Sequence, residues 1–207
     1  MVWGTGVRRS PQERPNQGLI RLPHRRKIHP MRRTAGALAL AMLLFPAAAG
    51  SQSIDVGKTV LLAPRTQTTG CTLGPNPDRQ CSPGAYYSKL TKAVICSPTF
   101  RTSTVRHVPQ SLKFDVEREY GMEAKLYGSS LEIDHIISLE LGGSNDIANL
   151  YPEGLFANPG YRLKDKLENK LHDLVCDGKK TLRSVQRGIA SDWQKLYKQV
   201  FGVAPTD

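Results

Sequence analysis

Four cysteines constrain the fold of this chain more than any other feature. Cys71, Cys81, Cys96 and Cys176 all lie after residue 70, and none forms a C-x-x-C pair. That spacing argues against a cysteine zinc site. In an exported chain, an even number of cysteines implies two disulfides, with three connectivities available. The spacing favours Cys71–Cys81, closing a turn-rich loop, and Cys96–Cys176, tying an early segment to a late helix.

Export is read from MRRTAGALALAMLLFPAAAGS, which begins at Met31. A basic pair, an apolar run from Ala35 to Phe45 and the small residues Ala47-Ala48-Ala49 have the layout of a secretory signal peptide. The run is too short to span a bilayer, which takes ~20 apolar residues. No stable membrane insertion is expected after cleavage, and the mature protein is expected to be secreted or periplasmic. Residues 1–30 fit poorly in front of such a signal, so translation is expected to begin at Met31.

This division removes most of the positive charge. The whole chain of 207 residues carries a net +11, but residues 50–207 hold 20 Lys/Arg against 17 Asp/Glu, a net +3. The basic character belongs mainly to the leader, so charge alone argues only weakly for a nucleic-acid partner. The expected organisation is a leader over 1–30, a signal peptide over 31–49, an irregular disulfide-containing arm over 50–90 and a domain over 91–207. A monomer is expected.

Within the arm, TTGCTLGPNPDRQCSPGAYY is dense in turn residues and reads as irregular chain outside the core. Residues 91–108 are β-branched and interrupted by Pro98, which suggests short strands or extended chain. Three amphipathic helices follow from spacing. SLKFDVEREYG has Ser111 as N-cap and Leu112, Val116 and Tyr120 on one face. RLKDKLENKLHDLVC aligns Leu163, Leu167, Leu171 and Leu174, with Asn158-Pro159 as its start. Thr181–Phe201 repeats Leu182, Val185, Ile189, Trp193, Leu196 and Val200.

Between the first two helices lies LEIDHIISLELGGSNDIANLYPE, from Leu131 to Glu153. Leu131, Ile133, His135 and Ile137 alternate with Glu132 and Asp134, which is a strand pattern; Gly142 to Asp146 is a turn, and Asn149-Leu150-Tyr151 is extended. Adjacent strand residues face opposite ways, so Asp134 and His135 converge only if the strand ends, twists or bulges there. A carboxylate is a hard ligand suited to Mg²⁺ or Mn²⁺, and a neutral imidazole can take a proton from water. Phosphodiester hydrolysis needs both functions together.

DHIISLELGGSNDIANLYPE resembles the HNH nuclease motif, whose fold is a two-stranded hairpin packed on a helix around one metal. The wider stretch, from Ile95-Cys96 to Trp193, is similar to small exported bacterial HNH-type proteins. The resemblance implies an α+β fold: a small, mainly helical domain with a ββα-metal core and the disulfide-pinned arm. It implies Asp134 as metal ligand, His135 as general base, and Asn149 as the residue that pins the strand and orients the base. The third position, usually His or Asn, falls to Asn158 by spacing or to His172 by chemistry. Ser138 stands where the family usually has Pro, and Tyr151 where this group often has Trp.

One divalent cation is implied, Mg²⁺ or Mn²⁺ first, with Zn²⁺ or Ni²⁺ as further options. Arg162 and Lys166 are weak candidates for substrate phosphate, with Lys164, Lys170, Arg101 and Arg106 behind them. The expected function is a metal-dependent endonuclease cutting DNA, with RNA as a second option, and with low sequence specificity because no base-reading module is evident. The alternative is an inactive HNH-type scaffold that binds nucleic acid, cell wall or a partner protein.

Overall fold

A computed structural model gives the fold and describes residues 53–122, 131–154 and 159–206. The leader and signal segments, and Asn158, lie outside the described residues. The described residues belong to one compact unit.

It is a small α+β domain with two antiparallel two-stranded sheets among the described residues. Strand β1 (Thr59–Leu61) pairs with β2 (Ala85–Tyr87). Helix α1 (Lys92–Ile95) is a single turn, and α2 covers Gln110–Glu119. Strand β3 (Leu131–His135) pairs with β4 (Leu150–Gly154), with Leu131 opposite Gly154 and His135 opposite Leu150. Helices α3 (Tyr161–Cys176) and α4 (Leu182–Phe201) complete the chain. Among the described residues no helix is long and apolar enough to cross a membrane.

Both favoured disulfides are present, Cys71–Cys81 and Cys96–Cys176. Several local expectations need correction. The 91–108 segment forms α1 and a 3-10 turn at Thr102–Thr104 instead of strands. Helix α2 is preceded by Pro109 at its N-cap, whose extended ψ of 155° starts the helix one residue before Ser111. Helix α3 is capped by Gly160, so it starts two residues later than Asn158-Pro159 would place it. Helix α4 breaks at Asp192 (φ −163°, ψ 91°), whose Oδ1 accepts from Lys195 N at 2.9 Å and caps the second half.

Residues 53–90 do not stand outside the core. Cys71, Cys81 and Leu90 belong to the same apolar cluster as Ile133, Leu167 and Trp193. The indole of Trp193 donates to Pro75 O at 2.6 Å, and a bridge between Tyr86 and Gly143 ties the first sheet to the β3–β4 connection. Turn-rich composition hides this packing, because a disulfide loop buries its apolar residues through tertiary contact and not through a local period.

The β3–β4 connection is tightly specified. Gly142 adopts φ +77°, a left-handed conformation that glycine tolerates without strain. At Gly143 an added Cβ would lie 1.7 Å from Ile137 O, so only glycine allows the backbone to approach. The phase of α3 differs from the expected leucine stripe. Its buried face is Lys164, Leu167, Glu168, Leu171 and Val175, a sequence of i, i+3, i+4, i+7 and i+11 positions. Leu163 and Leu174 are only half-buried flanks. Two charged residues therefore point into the domain, against the hairpin.

Candidate metal centre and catalytic base

Strand β3 ends at His135, and the chain bends immediately afterwards. Because the strand stops there, the adjacent side chains converge, with His135 Nδ1 3.7 Å from Asp134 Oδ1. The imidazole is buried, 2 % exposed. Its Nε2 is 3.1 Å from Asn145 Oδ1, while Nδ1 has no hydrogen-bond partner. An imidazole on an apolar strand face is ordinarily satisfied at both nitrogens; this one is satisfied at one.

Facing the strand end is Lys164 of α3, 1 % exposed. Its Nζ lies 3.2 Å from Asp134 Oδ2, 3.2 Å from Glu153 Oε1 and 2.8 Å from Glu168 Oε1. It also donates to His135 O at 2.8 Å, and Tyr151 OH donates to Glu153. Lys164 was expected among the phosphate contacts, but it is consumed by this interior network. Burial disfavours its charge, yet the three carboxylates outweigh burial and hold its pKa well above the ordinary value.

The carboxylates divide accordingly. Burial pushes Asp134 up, but the Lys164 ammonium holds it well below the usual carboxylate range. Burial dominates at Glu153, which lies well above that range despite Lys164. Burial also raises Glu168, to about 8. Of the three carboxylates, Asp134 is thus held ionised beside the Lys164 ammonium, while burial favours the neutral form of Glu153 and Glu168.

Carboxylate oxygens of Asp134, Asp165 and Glu168 lie within 4.8 Å of one another. This all-oxygen set suits a hard divalent cation, and the unpartnered His135 Nδ1 lies beside it. The oxygen donors and the orphaned buried nitrogen beside them fit such a cation with a base next to it. Glu168 and Asp165 carry no signal of this in sequence, because nothing within the helix reveals what they meet across it.

No family model, curated protein or solved structure matches the chain.

The remaining expected residues separate. His172 is not among the ligand atoms gathered around Asp134. Its Nε2 lies 3.2 Å from Ile95 O and 3.6 Å from Cys176 Sγ. His172, Cys96 and Cys176 also bring ligand atoms together, but both sulfurs are joined in the disulfide and are not thiolate ligands. Asn149 is fully buried and braces the backbone: Oδ1 accepts from Ala85 N and Ile137 N, and Nδ2 donates to Ile137 O and Ser144 O. It makes no hydrogen bond to the imidazole, which is held instead by Asn145.

Arg162 and Lys166 are exposed. Each lies two residues from Lys164, which at about 100° per residue turns it ~160° away from the hairpin. Lys166 rests over the Phe201 ring at 5.1 Å. Lys170 and Arg101 are exposed as well, and Arg101 Nη1 donates to Pro98 O and Phe100 O. Arg106 is the best-placed cation. It lines an open groove of about 290 Å³ together with Ser138, Glu140, Asp165, Glu168 and Asn169. Ser138 Oγ is buried there without a partner.

Proposed function

We propose that the end of β3 and the inward face of α3 form the active site of a divalent-metal-dependent endonuclease of HNH type. The observation that carries this reading is the convergence of the Asp134 and Glu168 carboxylates beside an imidazole nitrogen, His135 Nδ1, that is buried and unpartnered. The hairpin β3–β4 followed by α3 agrees with the ββα order that the motif implies. Ser138 has φ −61°, the value a proline would hold, so its departure from the family pattern leaves the backbone unchanged.

Asp134 and Glu168 would hold the cation, with Asp165 at its exposed edge. When bound, the metal neutralises charge on the scissile phosphate and on the leaving oxygen. The chain's own groups do the rest. His135 Nδ1 accepts the proton of the attacking water as the new P–O bond forms and the bond to the leaving 3′-oxygen breaks. Lys164 keeps Asp134 ionised and fixes its carboxylate by binding Oδ2 and the adjacent His135 carbonyl. Arg106 is placed to meet a phosphate in the groove. With no base-reading element evident, the substrate is nucleic acid of any sequence, DNA first and RNA second. The disulfides agree with a protein that works outside the cytoplasm, secreted or periplasmic, and the leader expected from the sequence supports the same compartment.

A second reading draws on Lys164. Its ammonium already sits among the carboxylates, which would suit a scaffold that binds without cutting. The test is plasmid nicking by the oxidised protein across Mg²⁺, Mn²⁺, Zn²⁺ and Ni²⁺, with a chelator control and Asp134→Ala alongside. Cleavage that requires metal and disappears in Asp134→Ala supports the nuclease. Metal binding with no cleavage of DNA or RNA supports the scaffold.

A further inference from the structure

The base proposed above can work only if one particular ring nitrogen is free of its proton, and the neighbours of His135 determine which one. The chain of contacts begins at Val105 O, a backbone carbonyl that can only accept. Asn145 places an amide atom 2.7 Å from it, so that atom must be the NH₂ group. The same Nδ2 reaches Tyr87 OH at 3.0 Å, and Asn145 N donates to that hydroxyl at 3.2 Å. With the NH₂ committed, the atom of Asn145 facing His135 is its carbonyl Oδ1, 3.1 Å from Nε2. A carbonyl accepts, so the neutral ring must carry its proton on Nε2. Nδ1 is left with a lone pair, and it is this atom that is buried, unpartnered and 3.7 Å from Asp134 Oδ1.

We infer that Asn145 is the positioning residue of this site, fixing His135 in its Nε2–H tautomer, and that Tyr87 and Val105 fix Asn145. The inference deepens the nuclease reading and rests on it for the role of Nδ1, but the tautomer itself can be measured without activity. It moves the orienting function from Asn149, the residue implied by the motif, to a turn residue four positions earlier. It also gives the N-terminal segment a part in the site, since Tyr87 ends β2 and Val105 precedes α2. The arrangement is opposite to a histidine whose Nδ1–H is held by a carboxylate, in which Nε2 is the free base. Here Asp134 is spared that bond and stays available to a cation.

The test is nitrogen-15 NMR of histidine-labelled, oxidised full-length protein without metal, well above the ordinary imidazole pKa of ~6.5. His135→Gln assigns the signals. Wild type is expected to show one tautomer, with a ring proton on Nε2 that exchanges slowly with water. Asn145→Ala should speed that exchange roughly tenfold, the scale of one lost hydrogen bond, and yield a mixture of tautomers. Asn145→Asp retains an acceptor toward Nε2 and should restore the single tautomer. A wild-type proton on Nδ1 overturns the inference without any variant. An Nε2 proton whose exchange is unchanged in Asn145→Ala overturns the part assigned to Asn145. If the tautomer is as inferred but the protein cuts no nucleic acid with any metal, the positioning stands and the nuclease reading falls.

Discussion

Lys164 and Asp134 meet in the interior, Nζ to Oδ2 at 3.2 Å, where α3 crosses the end of β3. The pair joins a helix to a strand across 30 positions of sequence, and the same ammonium reaches Glu153 on β4 and Glu168 one turn along its own helix. Replacing the lysine with a neutral side chain leaves Asp134 buried without its main counter-charge. Lys164→Met is therefore expected to destabilise the fold by about 3–5 kcal/mol, the cost of breaking a buried pair from one side. Urea denaturation measures it; a loss below ~1 kcal/mol would mean that the carboxylates do not need the ammonium.

Glu168 makes stability depend on pH. Burial raises it from 4.5 to about 8, so between those values the folded protein keeps a proton that the unfolded chain has released. Stability of the metal-free protein should then fall as pH rises through that window, because the unfolded state binds fewer protons. Glu168→Gln removes this slope. A divalent cation reverses it, since ligation favours the carboxylate and releases the proton. Melting temperatures at about pH 5 and pH 8, with and without Mn²⁺, for wild type and Glu168→Gln, measure both effects. A metal-free wild type with the same slope as Glu168→Gln contradicts the assignment.

Asn149 should behave as a structural residue. Its four hydrogen bonds join β2, the end of β3 and the turn after Gly143, all in a fully buried position. Asn149→Ala strands several backbone groups and should cost about 3 kcal/mol or more. The urea midpoint reads it, and a shift equivalent to less than ~1 kcal/mol would contradict the bracing role.

The Cys96–Cys176 bond closes a loop with a sequence separation of 80. Loop-closure entropy for that length is worth about 4 kcal/mol, so Cys96→Ser with Cys176→Ser should lower stability by that order. Thermal unfolding of the double variant measures it. If the two chains melt together, the bridge is not what holds α1 to the end of α3.

Much of this architecture is legible in the sequence because it follows local rules. The favoured disulfide pairing, the helices near 110–119, 161–176 and 182–201, and a strand from Leu131 follow from spacing and period, whereas the end of that strand at His135 does not, since the alternation runs on to Ile137. The site is less so. Lys164 and Glu168 occupy the i and i+4 positions of a buried face, yet charged residues are normally read as the outer face, because burying them alone is costly. Their partners lie on β3 and β4, which no pattern within the helix can reveal. His172 is chemically the better ligand, but a helix position says nothing of which neighbour it meets, and it meets Ile95 O. Asn145 looks like any turn residue after Gly142-Gly143, since its work depends on Tyr87 and Val105 from distant segments. Arg162 and Lys166 carry the right charge on the wrong side of the helix.

The most direct test compares two histidines in one assay. Mn²⁺-dependent plasmid nicking is measured for the oxidised wild type, His135→Ala and His172→Ala, with folding checked by circular dichroism. The rate should fall at least ~100-fold in His135→Ala, the usual range for loss of a general base, and stay within about threefold of wild type in His172→Ala, as expected of a residue away from the chemistry. Equal losses in both, or an unchanged rate in a folded His135→Ala, would contradict the site.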